Sequence, residues 1–194
     1  MSARRHCALI AIGTLVSLPG CSSPSPALYT IAPVAGAQHN VSPKVILLQQ
    51  IGLERYLERS QIVRSSENYR LDVMSNDWWG EPLGAMLSRV LVDELQQRLP
   101  HSVVISEAGA VSAPADATVT LNVQRLDEDA SSTLVLQAQA GVSTKGKGAP
   151  SVHNFRFSIP PTAPGVPGEV AAISTAVGQL ADGLAALLAA GPSH

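Results

Sequence analysis

Catalysis needs ionisable or nucleophilic side chains brought together, so the histidines, acidic runs and glycine-rich strings are read first. The five histidines are His6, His39, His101, His153 and His194, each isolated along the chain and none in a zinc-ligand spacing. No G-x-S-x-G string marks a hydrolase elbow. The run Asp127, Glu128, Asp129 lacks the spaced oxygens, central glycine and distal glutamate of a calcium loop, and reads as a solvated hairpin turn. Lys145, Gly146, Lys147 and Gly148 lack the strand, the helix and the following Ser or Thr of a phosphate loop, and read as a second hairpin turn. These absences point away from an enzyme, and no metal or cofactor is expected. Trp78 and Trp79 offer contact instead of catalysis: neighbouring side chains face different ways, so one ring is expected in the core and the other is expected to be open to a partner.

The two cysteines, Cys7 and Cys21, belong to the N-terminal segment. Arg4 and Arg5 precede an apolar run over residues 7–18, which Pro19, Gly20 and Cys21 close, the positive, apolar, small-residue order of a secretory signal. A membrane-spanning helix needs about 18 to 20 apolar residues. This run is shorter and passes directly into the Pro-rich residues 22–26, so residues 1–20 are expected to be cleaved as a signal peptide. The string LPGC resembles the lipobox of bacterial lipoproteins, which implies that the Cys21 sulfur carries diacylglycerol and that Cys21 is the mature N-terminus. His6, Cys7 and Ala8 lack the flanking pattern of a twin-arginine signal, so the general secretory route is expected. With Cys7 lost and Cys21 alkylated, no thiol is left for a disulfide, a zinc site or a nucleophile, and the domain must hold by packing.

Cleavage removes two of thirteen basic residues and none of fifteen acidic ones, leaving eleven against fifteen, a net charge of −4. Lysine is confined to Lys44, Lys145 and Lys147, so a cationic stripe for nucleic acid or anionic headgroups cannot be built. Membrane association must come from the lipid.

The elements that carry these residues follow from periodicity. Residues 21–43 are rich in Ser, Pro, Ala and Gly and read as a flexible lipidated tether, with a possible edge strand over 28–31. The domain is expected over 44–191. Residues 45–51 and 69–74 read as strands, with an irregular, charged connection over 52–68. Leu83, Met86, Leu87, Val90, Leu91, Leu95 and Leu99 recur at helical spacing, which predicts a helix over 81–99 with Pro82 in its first turn and Pro100 ending it. Strands are expected over 102–106, 118–126, where the alternation is imperfect, 133–142 and 152–159. A closing helix over 169–190 carries Ile173, Val177, Leu180, Leu184 and Leu187 on one face, with Asp182 interrupting its apolar tail, and reads as a core helix. This order predicts an α/β fold, a single three-layer domain with a mixed sheet flanked by helices, whose strand order is not readable.

Residues 56–100, YLERSQIVRSSENYRLDVMSNDWWGEPLGAMLSRVLVDELQQRLP, resemble the central motif of the PqiC/YmbA family, also called ABC-type transport auxiliary lipoproteins, and YTI at residues 29–31 adds to the likeness. In that family a Leu-Pro-x-Tyr-Leu pattern precedes an Arg-x-Gln-Ile-Val string, and a Trp-x-Glu-Pro-Leu string opens a helix carrying Arg-Val-Leu. The matching residues are Leu53, Tyr56 and Leu57, then Arg59, Gln61, Ile62 and Val63, then Trp79, Glu81, Pro82 and Leu83, then Arg89, Val90 and Leu91. Gly52 and Ser60 stand where the family often has proline.

The resemblance implies a three-layer α/β fold. It also implies a periplasmic accessory lipoprotein that works with an MCE-domain protein and inner-membrane transport components in lipid traffic between the membranes. Ser22 after the acylated cysteine fits the sorting rule of outer-membrane lipoproteins, so an outer-membrane anchor facing the periplasm is expected. The motif is concentrated around the mouth of the first helix, and Tyr56, Arg59, Gln61, Trp79 and Glu81 are expected to dock the MCE partner or a neighbouring copy in a homo-oligomer. The opposing expectation is that they organise the fold, with Trp79 packed on the sheet and Glu81 favouring the helix start. Two other functions compete. A lipid-anchored envelope hydrolase lacks its motifs, and only the family likeness speaks against a purely structural envelope lipoprotein.

Overall fold

The computed structural model describes residues 25–190 apart from Asn68, so the signal segment and Cys21 lie outside the described residues. Two sheets and two helices surround one apolar core. The larger sheet is mixed, as expected: β2 (Val45–Leu48) lies between β6 (Val103–Ser106) and β7 (Ala117–Glu128), parallel to both, and β8 (Leu134–Thr144) and β9 (Ser151–Ile159) extend it antiparallel. The two-residue β3 (Gly52–Leu53) continues the line of β2 along β7. Period-two alternation assigns the faces: Val119, Leu121 and Val123 are buried, whereas Thr120, Asn122 and Gln124 are exposed. The imperfection in the β7 alternation is a register shift between Val123 and Arg125, after which Leu126 returns to the core.

A second sheet appears where a single one was expected. Its order is β1 (Ala27–Tyr29), β5 (Arg70–Trp79), β4 (Gln61–Glu67), with β1 parallel to β5 and β4 antiparallel to it. Up to Glu67 the expected connection over 52–68 is thus built from β3, a 3-10 turn at Arg55–Glu58 and β4, and is not the irregular segment that its charge implied. Two irregularities in the β4–β5 register break the alternation, which is why the pattern hid the strand.

α1 (Leu83–Arg98) buries the predicted stripe, and the Leu99 amide still donates to Leu95 before Pro100 ends the run. α2 (Gly165–Ala190) starts four residues before the sequence reading, because Gly165 (φ 77°) turns the chain in and Pro167 fits a first turn. α2 is long and apolar enough to cross a bilayer, yet Ile173, Val177, Leu180 and Leu184 are in the core and the helix packs on α1, β8 and β9.

The expected tether ends much earlier than residue 43. Leu28 and Tyr29 pair in β1, and residues 31–39 form a strap across both helices: Ile31 is 1 % exposed, and Val34 meets Gly178 of α2 so closely that a Cβ there would stand 2.9 Å from the Val34 Cβ. The Ser, Pro, Ala and Gly composition misled because the strap has no strand partner and is held by side chains of the helices beneath it.

Candidate functional site

The motif residues separate into an inner and an outer group. Tyr56, on the 3-10 turn, is half-buried and its hydroxyl donates to Asp127 at 2.6 Å. Asp127 is 1 % exposed and also accepts from Arg125 Nε and Nη2 at 3.0 and 2.9 Å, so this acid is not in a solvated turn as expected. Only Asp129 of that run organises the turn, accepting from the Ser131 and Thr133 amides and the Ser131 hydroxyl, which hold its carboxyl below the usual range. Burial, and then the bond to Asp127, push the Tyr56 phenol up, which keeps it a donor.

Trp79 is 8 % exposed, packs in the core and donates its backbone amide to Ser60. Its indole is therefore not open for docking. Trp78 is half-buried, with its indole N–H given to the Ser75 carbonyl at 3.0 Å, so the two adjacent rings differ in burial. Gln61 starts β4 opposite Trp78. Tyr56, Gln61 and Trp79 share the wall of a small internal cavity of about 10 Å³ with Glu169 and Ile173 of α2. Glu81 and Arg59 lie outside this group. Glu81 takes the Arg89 guanidinium at 2.6 Å, and Arg89 reaches Thr30 Oγ1 at 3.4 Å, fastening the end of β1 to α1. Arg59 is exposed between the 3-10 turn and β4.

Sequence reasoning missed two buried ionic clusters. In the first, Arg64 of β4 bonds Glu169 at 2.6 Å and lies 3.2 Å from Glu128, joining the small sheet to α2 and the end of β7. Glu169 is fully buried and its Oε1 has no partner among the described residues; burial outweighs the guanidinium and pushes its carboxyl up. In the second, Arg98 is 0 % exposed and donates to Asp182 (2.6 Å), to the Val34 and Glu94 carbonyls (3.0 and 3.2 Å) and to the Gly178 carbonyl (3.1 Å). Glu94, one turn earlier and 1 % exposed, accepts the Val34 amide at 2.7 Å, and burial pushes its carboxyl up to about 7. A signal was available. Glu94 and Arg98 stand in the same helical rows as Leu91 and Leu95, and Glu169 lies four residues before Ile173, so all three fall on apolar stripes.

Two open clefts of about 420 Å³ each flank these groups. One, at the mouth of α1, is lined by Gln50, Ile51, Leu53, Glu58, Leu83 and Ser88; the other, before α2, is lined by Arg64, Glu128, Ser132 and residues 161–165. The hydroxyls of Ser88 and Ser106 are 2.7 Å apart. Ser102 gives its hydroxyl to the Pro43 carbonyl. Among the described residues no three His, Cys, Asp or Glu side chains group to hold a metal ion. The arrangement fastens elements together, and Arg59, which has no ion-pair partner among the described residues, faces solvent.

The family model described as "ABC-type transport auxiliary lipoprotein component" matches residues 28–185. No curated protein matches in sequence. The fold is similar to that of a crystal structure of a Xanthomonas campestris protein assigned to DUF330, with a TM-score of 0.71 and 15 % identity over 82 % of this chain and 92 % of that one. It is equally similar to a crystal structure described only as that of an uncharacterized protein, with a TM-score of 0.71 and 16 % identity over 84 % and 98 % of the two chains.

Proposed function

Starting from its membership of the ABC-type transport auxiliary lipoprotein component family, to which this chain belongs, we propose that the protein is the lipid-anchored accessory subunit of an MCE-type intermembrane lipid-transport system. In this reading residues 1–20 are removed, Cys21 carries the lipid, and the domain stands in the periplasm on the outer membrane, where its work supports outer-membrane integrity. Its partners are the MCE-domain protein and the inner-membrane transport components. The subunit is not an enzyme.

The observation that carries the reading is the family match across nearly the whole described domain, 28–185. The side-chain chemistry supports it, because the buried ionic groups are committed to joining β4, α1, α2 and the strap. Docking falls to the outer part of the motif, chiefly Arg59 and the exposed Glu81–Arg89 pair, while Tyr56, Gln61 and Trp79 lie within the fold. Arginine is among the residue types that dominate interface energetics.

The test is co-purification. Tagged full chain, extracted from membranes, should bring down the MCE-domain protein, and deletion of the gene should sensitise cells to detergent. Recovery of the tagged protein without any MCE protein or permease, together with unchanged detergent resistance, would refute the proposal.

A further inference from the structure

The β4–β5 hairpin carries apolar side chains that none of the described residues covers. Along β5 the alternation is interrupted by the register shift between Val73 and Trp78, and on the tip side of that shift Leu71, Val73 and Ser75 share an exposed face while Asp72 and Met74 are half-buried. At the Trp79 end the strand enters the core, whereas Val73 and Leu71 are 44 % and 46 % exposed, and Tyr69 at the tip, held at φ 71°, is fully exposed. Beside them Arg70 and Asp72 are paired at 3.0 Å and remain solvent-accessible.

The N-terminal chain decides what lies opposite that tip. β1 is parallel to β5, with Ala27 opposite Asp77, so the chain arrives at Ala27 from the direction of the tip. Six residues separate Cys21 from Ala27, a reach of at most about 20 Å. Six residues also separate Asp77 from Leu71 along β5, and an extended strand of that length covers about the same 20 Å. Cys21 therefore lies within about 20 Å of Ala27, the span that also separates the β1 start from the hairpin tip, and the chain enters β1 from the tip side, which brings the hairpin within reach of the membrane holding the lipid.

We infer that the hairpin tip, Tyr69, Leu71 and Val73, rests in the interfacial layer of the bilayer to which the chain is anchored. It acts as a second foot that fixes the orientation of the domain. A tyrosine at the tip beside exposed Leu71 and Val73 suits that layer, because its ring is apolar and its hydroxyl stays wet. A single lipid anchor leaves a domain free to swivel, and a second, weak apolar contact removes that freedom.

The inference rests on lipidation at Cys21, and the test separates the two. Once Cys7 is lost and Cys21 alkylated, a cysteine introduced elsewhere is the sole free thiol. Tyr69→Cys, Leu71→Cys and, as a control, Val152→Cys should be made in the full chain, purified with its lipid and labelled with a nitrobenzoxadiazole fluorophore. Val152 is 62 % exposed and pairs opposite Gly141, at the far end of the large sheet from the Glu128 that Arg64 meets. In phosphatidylethanolamine and phosphatidylglycerol vesicles containing doxyl-labelled lipid, the labels at 69 and 71 should shift to the blue and be quenched severalfold more than the label at 152. Protein that floats with vesicles but shows equal, water-like signals at all three positions overturns the inference and leaves the anchor standing. Protein that does not float overturns both. A blue shift that depends on protein concentration in detergent and not on vesicles assigns the tip to a second copy and likewise overturns it.

Discussion

Arg98 enters the interior charged and leaves none of its nitrogens idle: Asp182 and three backbone carbonyls, from Val34, Glu94 and Gly178, take its hydrogens. Removing it strands those carbonyls and loosens the strap, so Arg98→Ala should cost about 3 to 5 kcal/mol in equilibrium unfolding. Glu94 gives the same junction a dependence on pH. Its carboxyl is raised from 4.5 to about 7, chiefly by burial, against which the Val34 amide and Arg98 act. A raised folded value means that the folded state holds the proton more tightly. The contribution to stability is therefore full below 4.5 and is lost as pH rises through about 7. Glu169, also raised by burial, acts in the same direction. Urea denaturation should accordingly show the protein losing on the order of 1 to 3 kcal/mol between pH 5 and pH 8. Glu94→Gln should flatten most of that slope; a variant as pH-dependent as the parent would show that Glu94 is not the titrating group.

At the scale of elements, the small sheet and the strap are what fasten the motif. Trp79 closes β5 in the core while its amide ties the strand to Ser60, so Trp79→Ala should destabilise the protein by about 3 to 5 kcal/mol. Arg59, one residue before Ser60, is exposed. Arg59→Glu should leave the thermal midpoint within about 1 °C of the parent, as surface changes away from packed features do, and should weaken recovery of the MCE partner. Full recovery with Arg59→Glu would move the docking face elsewhere on the domain. Where the strap crosses α2, Gly178→Ala should destabilise, because the new methyl must displace Val34.

For the whole molecule, the decisive substitution is Cys21→Ser. A buried methylene is worth about 0.8 kcal/mol of membrane affinity and one myristoyl chain binds only marginally, so a multiply acylated cysteine holds the domain firmly and its loss should release it. Labelled palmitate should fail to enter the variant, and fractionation should find it in the soluble envelope extract; undiminished labelling would refute lipidation at Cys21. The anchor and the fold set the reach together. With β1 starting at Ala27, only residues 21–26 lie between the proposed anchor and the first strand, and not the 21–43 tether that composition implied, so that anchor would keep the domain close to its membrane.

The elements whose burial follows one simple period were legible from the amino-acid sequence alone: α1 and α2 from apolar residues every three or four positions, β7 to β9 from alternation, and the α/β class from their order. The motif over residues 56–100 likewise pointed to the family that the match over 28–185 establishes. What the sequence could not reveal were structures stabilised by partners distant along the chain. β4 pairs through an interrupted register, and the 31–39 strap is held by Glu94, Arg98 and Ser174, up to 142 residues away. Tertiary structure also decided which motif residues face solvent. Tyr56, Gln61 and Trp79 converge on Glu169 because β4, β5 and α2 meet there, and Arg59 is left outside. Local periodicity records which side of an element is apolar; only the packing of elements determines whether that side meets another element, a cavity or the membrane.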